Sequence, residues 1–419
     1  ESFKYLGRYF NFNMSDDVHK FEISSLIEEL MSNIDAKPLH PKNKLLLYSR
    51  YVLSKLSWHF TVSNISQTWI KENIDSVVNS YIRRWLEIPI SGTLSSVFMN
   101  RNKFGLNICP PSIKFIQCQT VLRNALKNSP NAEINELWKT TSTNQNIQYD
   151  VYSTTKEVIK AFRSNQENKL QNKLSTQGSF FNSISNFALS QLTKLWSVAQ
   201  SRLPKNIFNF SIRYINNSLP TRQNLLRWNL SPTSDCSRCL QPETLLHVIA
   251  GCNSYLDRFT WRHDSVLNFL AHTLLSVSDA KLFADLPGFN SPSIITGDEY
   301  RPDMLLITSD NSLYVAELTV GHESNLGNNS NRKNKKYSKL VKELKEDYRS
   351  VTFVNISMSC LGVFANESIS LLKMLDKIGF EKKHQDFCVK RMTTIAIRTT
   401  YFIFCRRNKE WENPILLMY

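Results

Sequence analysis

The chain has 419 residues, 42% of them apolar and 21% charged, enough for two or three domains with real cores. That excludes a disordered tail or a disulfide-stapled mini-protein as a description of the whole. Lysine and arginine number 51 against 36 acidic residues, a formal charge of +15. Such an excess points to a polyanionic partner, nucleic acid or an anionic membrane surface.

The opening Phe3-Lys4-Tyr5-Leu6-Gly7-Arg8-Tyr9-Phe10 predicts one short aromatic strand with a glycine inside it. From Val18 to Ile88 the spacing is helical. Leu45, Leu46, Tyr48, Val52, Leu56 and Trp58 predict one helix, carrying Lys42, Lys44, Arg50 and Lys55. Ile74, Val78, Ile82 and Trp85 predict another beside Arg83 and Arg84, stopped by Pro89. Basic helices with Tyr and Trp suit a nucleic-acid backbone and its bases. The plainer reading is a helical bundle with a solvated basic face.

From about 127 to 185 the composition turns to Asn, Gln, Ser and Thr, as in Thr140-Thr141-Ser142-Thr143-Asn144-Gln145-Asn146. This predicts loops and surface helices joining two halves. Helical spacing returns at Leu192, Leu195 and Trp196, followed by a proline-punctuated segment. No run of about 18 apolar residues occurs anywhere, so no membrane span and no membrane partner are expected.

Eight scattered cysteines do not make a disulfide framework, which implies a reducing compartment. Cys109, Cys118, Cys360, Cys388 and Cys405 read as ordinary buried thiols. The other three stand within 17 residues as Cys236-x2-Cys239-x7-His247-x4-Cys252. Two thiolates at i and i+3 around a tight turn chelate as a pair, and His247 and Cys252 complete a tetrahedron from the next helical turn and its end. Four protein ligands close the shell, so the predicted Zn²⁺ is structural. Leu245, Leu246, Val248 and Ile249 are expected to pack around it as a tiny core. The alternative is a chance cluster of thiols beside an unrelated histidine.

Asp303 opens an apolar strand, Met304 to Thr308; Ser309-Asp310-Asn311-Ser312 is a turn by composition, and Leu313 to Val320 is a second strand containing Glu317. A hairpin centred on Asp310 places Asp303 opposite Glu317, with Cβ atoms roughly 4.5–5.5 Å apart. Two carboxylates so placed can hold one divalent ion. Both faces of the hairpin are otherwise apolar, which implies covering helices and makes an unpaired acid costly. The alternative has Asp303 as a turn residue and Glu317 paired with a basic side chain. In the helix that follows, Tyr337, Leu340, Val341, Leu344 and Tyr348 form the buried stripe. Lys333 falls inside that stripe and Lys336 at its border. Either could polarise a water or neutralise a phosphorane-like transition state.

In this motif order the chain resembles the carboxy-terminal part of site-specific non-LTR retrotransposon polyproteins, the branch with a restriction-enzyme-like endonuclease. Phe3-Lys4-Tyr5-Leu6-Gly7 is similar to the motif closing their reverse-transcriptase palm, and Phe104-Gly105-Leu106 with Pro110-Pro111-Ser112 to the segment after the thumb. Leu219-Pro220-Thr221 with Asn224-Leu225 resembles the pre-knuckle linker, and Trp261-Arg262-His263-Asp264 an Arg-His motif beyond the knuckle. Arg301-Pro302-Asp303 with Glu317-Leu318-Thr319-Val320 looks like the metal-binding pair, and Lys333 with Lys336-Tyr337 like a displaced catalytic-lysine motif. Thr319 stands where the usual restriction-enzyme core carries its lysine. Glu323 is a further candidate ligand, and no role is assigned to Arg262 or His263.

The resemblance implies an α+β multidomain chain. Its segments are the end of the palm (1–12), a helical thumb (13–127), a polar helical linker (128–200), linker helices and a CCHC zinc knuckle (201–256), a mixed α/β restriction-endonuclease-like domain (257–409) and a tail (410–419). It implies an Mg²⁺-dependent endonuclease in which Asp303 and Glu317 hold the ion and Lys333 or Lys336 assists the water. Target DNA, the element's RNA and an upstream polymerase domain of the same polyprotein are the implied partners, and the nucleus is the place of action after synthesis in the cytoplasm. The polymerase aspartates are absent, since Asp16-Asp17 is the only adjacent pair and follows the palm-closing motif. The rival expectation is a retroelement-derived scaffold that binds RNA or DNA without cleaving it.

Overall fold

A computed structural model describes residues 2–5, 8–13, 15–141 and 154–417. Leu6 and Gly7 of the opening motif, and Ser142 to Asn146 of the polar stretch, lie outside the described residues. The described residues are α+β, mostly helical, with two small sheets among them. Among the described residues no helix is long and apolar enough to cross a membrane. Contacts divide it into two units, Glu1–Asn100 with Gly105–Leu174, and Arg101–Phe104 with Ser175–Tyr419.

In the first unit the opening segment is two strands, not one: β1 (Ser2–Tyr5) and β2 (Arg8–Asn11) pair antiparallel with Phe3 opposite Phe10. The strand expectation missed the reversal because aromatic residues continue on both sides of it. Helices follow at Asp17–Asp35, Pro41–Leu47 and Leu53–Val62, the latter two joined by a π-helical turn over Tyr48–Val52. A second π turn, Ile70–Asp75, leads into the helix Ser76–Leu86. That helix stops one residue before the proline constraint begins. Glu87 turns left-handed at φ 57°, and Arg83 donates to the carbonyls of Pro89 and Gly92 at 2.7 Å each. Arg83 is therefore spent on the chain reversal rather than offered to a ligand.

In the second unit the sheet runs β3 (Lys281–Ala284), β4 (Met304–Ile307), β5 (Ser312–Gly321), β6 (Ser350–Ser359) in that spatial order. The first two pairings are antiparallel and β5–β6 is parallel, joined by a crossover through the helix Leu326–Glu343. Alternation sorts the side chains. Met304, Leu306, Ala316, Leu318, Val354 and Ile356 face a core with Val266 and Leu270 of the helix Leu256–Leu274 and Met392 and Ile395 of the helix Lys382–Cys405. Leu305, Leu313 and Val315 face Tyr337, Leu340 and Leu344 of the crossover helix. A sheet covered on both faces needs the near-continuous apolar runs that this sequence supplies.

Candidate active site and metal centre

The ladder Met304↔Ala316 to Ile307↔Leu313 fixes the hairpin register, and one step further it sets Asp303 beside Glu317. The backbone N–H of Asp303 donates to Glu317 Oε2 at 3.2 Å. Arg301, immediately before Pro302, sits at φ 35°. Left-handed backbone is unfavourable there for an L-residue preceding proline. Tyr337 Oη steadies this turn by donating to the Tyr300 carbonyl at 3.0 Å.

Glu317 is 2% exposed and Asp303 16%, a burial that carboxylates tolerate only with partners. Each has them. Lys333, from the crossover helix, donates to Glu317 Oε1. Asp303 Oδ2 accepts from the Leu318 N–H at 2.7 Å and from His263 Nε2 at 3.3 Å, which leaves Oδ1 without a hydrogen bond among the described residues. Lys336 turns elsewhere, to the Tyr300 carbonyl at 2.7 Å and Tyr337 Oη at 3.2 Å. The two lysines left open by the sequence thus differ in place: one touches an acid, the other braces a turn.

His263 was assigned no role from sequence, yet it joins this group. Its Nδ1 faces Asp264 Oδ1 at 3.0 Å, while Nε2 faces Asp303 Oδ2 and the Leu318 carbonyl at 3.2 Å. Both ring nitrogens meet acceptors, so both carry protons. Burial works against that charge, but Asp303 and Asp264 outweigh it and raise His263 to about 10. Asp303 is pushed up by burial and drawn down further by the His263 charge and hydrogen bond, with a net lowering. Burial depresses Lys333, against the pull of Asp303. A spacing signal existed: His263, Val266, Leu270 and Leu274 repeat at three or four residues, which puts the histidine on the helix's buried stripe.

Arg262, the neighbour in that motif, is fully buried. It donates to the carbonyl of Ile249 at 2.8 Å, to Thr400 Oγ1 at 3.4 Å and to the Val320 carbonyl at 3.5 Å. It ties the turn that carries His247 to the sheet and the last helix. Thr319 shares the Glu317 face two residues on, and its hydroxyl is buried without a hydrogen bond among the described residues. Glu323 stays apart from the acid pair. It accepts from Tyr214 Oη at 2.9 Å and lies 3.3 Å from His322 Nε2, and burial raises it to about 7.

The second cluster is local. Cys236, Cys239, His247 and Cys252 bring one ligand atom each to within 4.8 Å of one another. Cys239 Sγ is 3.3 Å from His247 Nε2 and 3.7 Å from Cys252 Sγ. Tetrahedral zinc, with bonds of about 2.0–2.3 Å, needs ligand separations of roughly 3.4–3.8 Å, so the donors fit the ion. The loop supports this spacing: Leu240 is left-handed at φ 62° and donates back to the Cys236 carbonyl. Burial raises the Cys236 thiol, but the N–H groups of Arg238 and Cys239 outweigh it and leave it lowered. These four residues could hold a metal ion, and the Cys₃His donor set is consistent with zinc.

The core around the thiols differs from the expected one. Tyr255 and Phe259 pack on Cys236, Cys239 and Cys252, and the Ile249 backbone carbonyl accepts from Arg262. Glu243, fully buried beside the loop, accepts from Arg407 Nε at 3.2 Å and from the Arg222 N–H at 3.0 Å. Arg407 also donates to the carbonyl of Pro220, which anchors the Leu219-Pro220-Thr221 segment to the knuckle. Cys360 and Cys388 are buried as expected, Cys109 and Cys118 half-buried, and Cys405 is exposed because it ends its helix.

In the first unit the basic helices are only partly available. Lys44 donates to the Asp35 carbonyl and Arg84 pairs with the Asp35 carboxylate at 2.6 Å. Tyr51 and Trp58 are about half exposed, with Lys55 over the Tyr51 ring. The chain matches no protein-family model and no curated protein.

Proposed function

We propose that the chain is the carboxy-terminal part of a non-LTR retrotransposon protein whose second unit is a metal-dependent DNA endonuclease. One observation carries the reading: Asp303, Glu317, Lys333 and His263, from three separate elements, converge on one end of the sheet. The proposed reaction is hydrolysis of one strand's phosphodiester. A water oxygen bonds to phosphorus, the bond from phosphorus to the 3′ oxygen breaks, and that oxygen takes a proton to leave as a 3′ hydroxyl. The freed end would prime reverse transcription of the element's RNA, on nuclear DNA, by an upstream polymerase domain.

Asp303 Oδ1 and Glu317 would hold Mg²⁺, which takes one or two carboxylates and keeps several waters. Bound there, the ion supplies Lewis-acid stabilisation of the phosphoryl oxygens and acidifies a water. Lys333 neutralises Glu317 at rest and, released toward the phosphate, would stabilise developing charge. His263 is a positioning residue that holds Asp303 through Oδ2. The Cys₃His knuckle would bind structural Zn²⁺, and Lys55, Tyr51 and Trp58 would meet nucleic acid through phosphate and stacking contacts. No membrane partner enters this reading.

A second reading, a nucleic-acid-binding scaffold without cleavage, is favoured by Thr319 at the lysine position and by the Lys333–Glu317 pair, which already satisfies the acid. The two separate on Asp303→Ala. In the endonuclease reading this variant binds DNA with native affinity and loses Mg²⁺-dependent nicking by about a thousandfold or more. A native chain that binds DNA tightly and never nicks it, with the upstream polymerase domain present, would establish the scaffold.

A further inference from the structure

A further cluster of metal-ligating side chains lies in the first unit. His19 and Glu22 stand three residues apart on the helix Asp17–Asp35, so they share a face. His59 comes from the helix Leu53–Val62. One ligand atom from each lies within 4.8 Å of the others. The two imidazole rings are 5.2 Å apart between centroids, and His19 Nδ1 is 3.6 Å from Glu22 Oε2.

Glu22 Oε2 and His59 Nδ1 are buried without a hydrogen-bond partner among the described residues. The other oxygen, Glu22 Oε1, is held by Lys4 Nζ at 2.8 Å, which orients the carboxylate and leaves Oε2 toward the histidines. Buried polar atoms left in this way cost free energy that a coordinated cation would recover.

We propose that His19, Glu22 and His59 form a metal site for a first-row transition ion of the zinc class, bound through two imidazole nitrogens and one carboxylate oxygen. The donor set selects the ion. Imidazole suits zinc, cobalt or nickel, whereas magnesium and calcium take oxygen ligands. Ligands about 2.0–2.2 Å from such an ion sit roughly 3.4 Å apart, so the three side chains close inward a little on binding. Three protein ligands leave a fourth position for water. The ion clips two helices of the first unit together and is independent of the knuckle and of the proposed nuclease.

The test counts ions on the full chain. Metal-free protein is loaded with Zn²⁺ or Co²⁺, freed of excess by gel filtration, and assayed by elemental analysis and absorbance. The proposal predicts two ions per native chain and two in Asp303→Ala. His59→Gln and Glu22→Gln, substitutions on different helices, should each retain one, with the strong thiolate-to-cobalt absorption of the Cys₃His site undiminished. Cys236→Ser should retain one ion that lacks this absorption. His59→Gln and Glu22→Gln variants that each hold as many ions as the native chain would overturn the proposal.

Discussion

The knuckle and the carboxylate site assemble their groups in opposite ways. The knuckle draws four donors from 17 consecutive residues, on one loop and the turn after it. The carboxylate site draws His263, Asp303, Glu317 and Lys333 from a helix, a hairpin and a crossover helix. Local donors are set by turn geometry and could hold a metal ion. Dispersed groups are set by the sheet and satisfy one another, with the two acids matched by an ammonium and an imidazolium. The first arrangement is a closed shell suited to structure. The second is a balanced set of charges, which in the proposed reaction an incoming ion and phosphate would redistribute.

That contrast can be broken at several points. The largest stability effect belongs to the knuckle. Cys236→Ser, or chelation of the native chain, should cost several kcal/mol, because structural-zinc binding free energy is folding free energy, on the order of 10 kcal/mol in small zinc domains. Melting measured with and without chelator checks this, and an unchanged transition would show that the four donors hold no metal.

Next comes the strut between the two regions. Arg262→Met removes three hydrogen bonds, among them that to the Ile249 carbonyl, from a fully buried side chain. A loss of about 2–4 kcal/mol is expected in denaturant unfolding, and a loss below about 0.5 kcal/mol would mean that the strut carries no load.

Glu323 predicts a pH dependence of its own. Burial places its folded value near 7 against an ordinary 4.5. Between those values the folded chain holds a proton that the unfolded chain releases, so stability from this group falls as pH rises through that window. Gln keeps an acceptor for Tyr214 Oη without the charge. Glu323→Gln should therefore match the native chain near pH 4 and exceed it above pH 7, by at most about 3 kcal/mol. Melting curves that run parallel across that range would contradict the assignment.

The smallest effect separates the lysines. Lys336→Met loses bonds to the Tyr300 carbonyl and Tyr337 Oη at an exposed position, and stability should change by less than about 1 kcal/mol. Lys333→Met removes the cation on Glu317. It should bind Mn²⁺ roughly tenfold more tightly, since a competing charge is gone, while losing nicking. Equal behaviour of the two variants would remove the distinction.

Much of this was legible in the sequence. Alternation and the turn residues Ser309 to Ser312 fix the register of β4 on β5, and the 3.6-residue stripe places Tyr337, Leu340 and Leu344 on the sheet. The ligand spacing of the knuckle is likewise written locally. What was not legible depends on contacts distant in sequence. His263 reaches Asp303 across 40 residues; β3 is four residues long, too short for a periodic signal; and the pairing of β1 with β2 hides in an unbroken aromatic run. The His19–Glu22–His59 cluster has no motif spacing at all, because a helix and its neighbour supply it jointly.

The most direct measurement is nicking of supercoiled plasmid in Mg²⁺ by the native chain, Asp303→Asn and Glu317→Gln, with and without the proposed polymerase domain. The account predicts open circles from the native chain alone, abolished by chelator and by either substitution. Equal nicking by all three, or nicking that survives chelation, would contradict it.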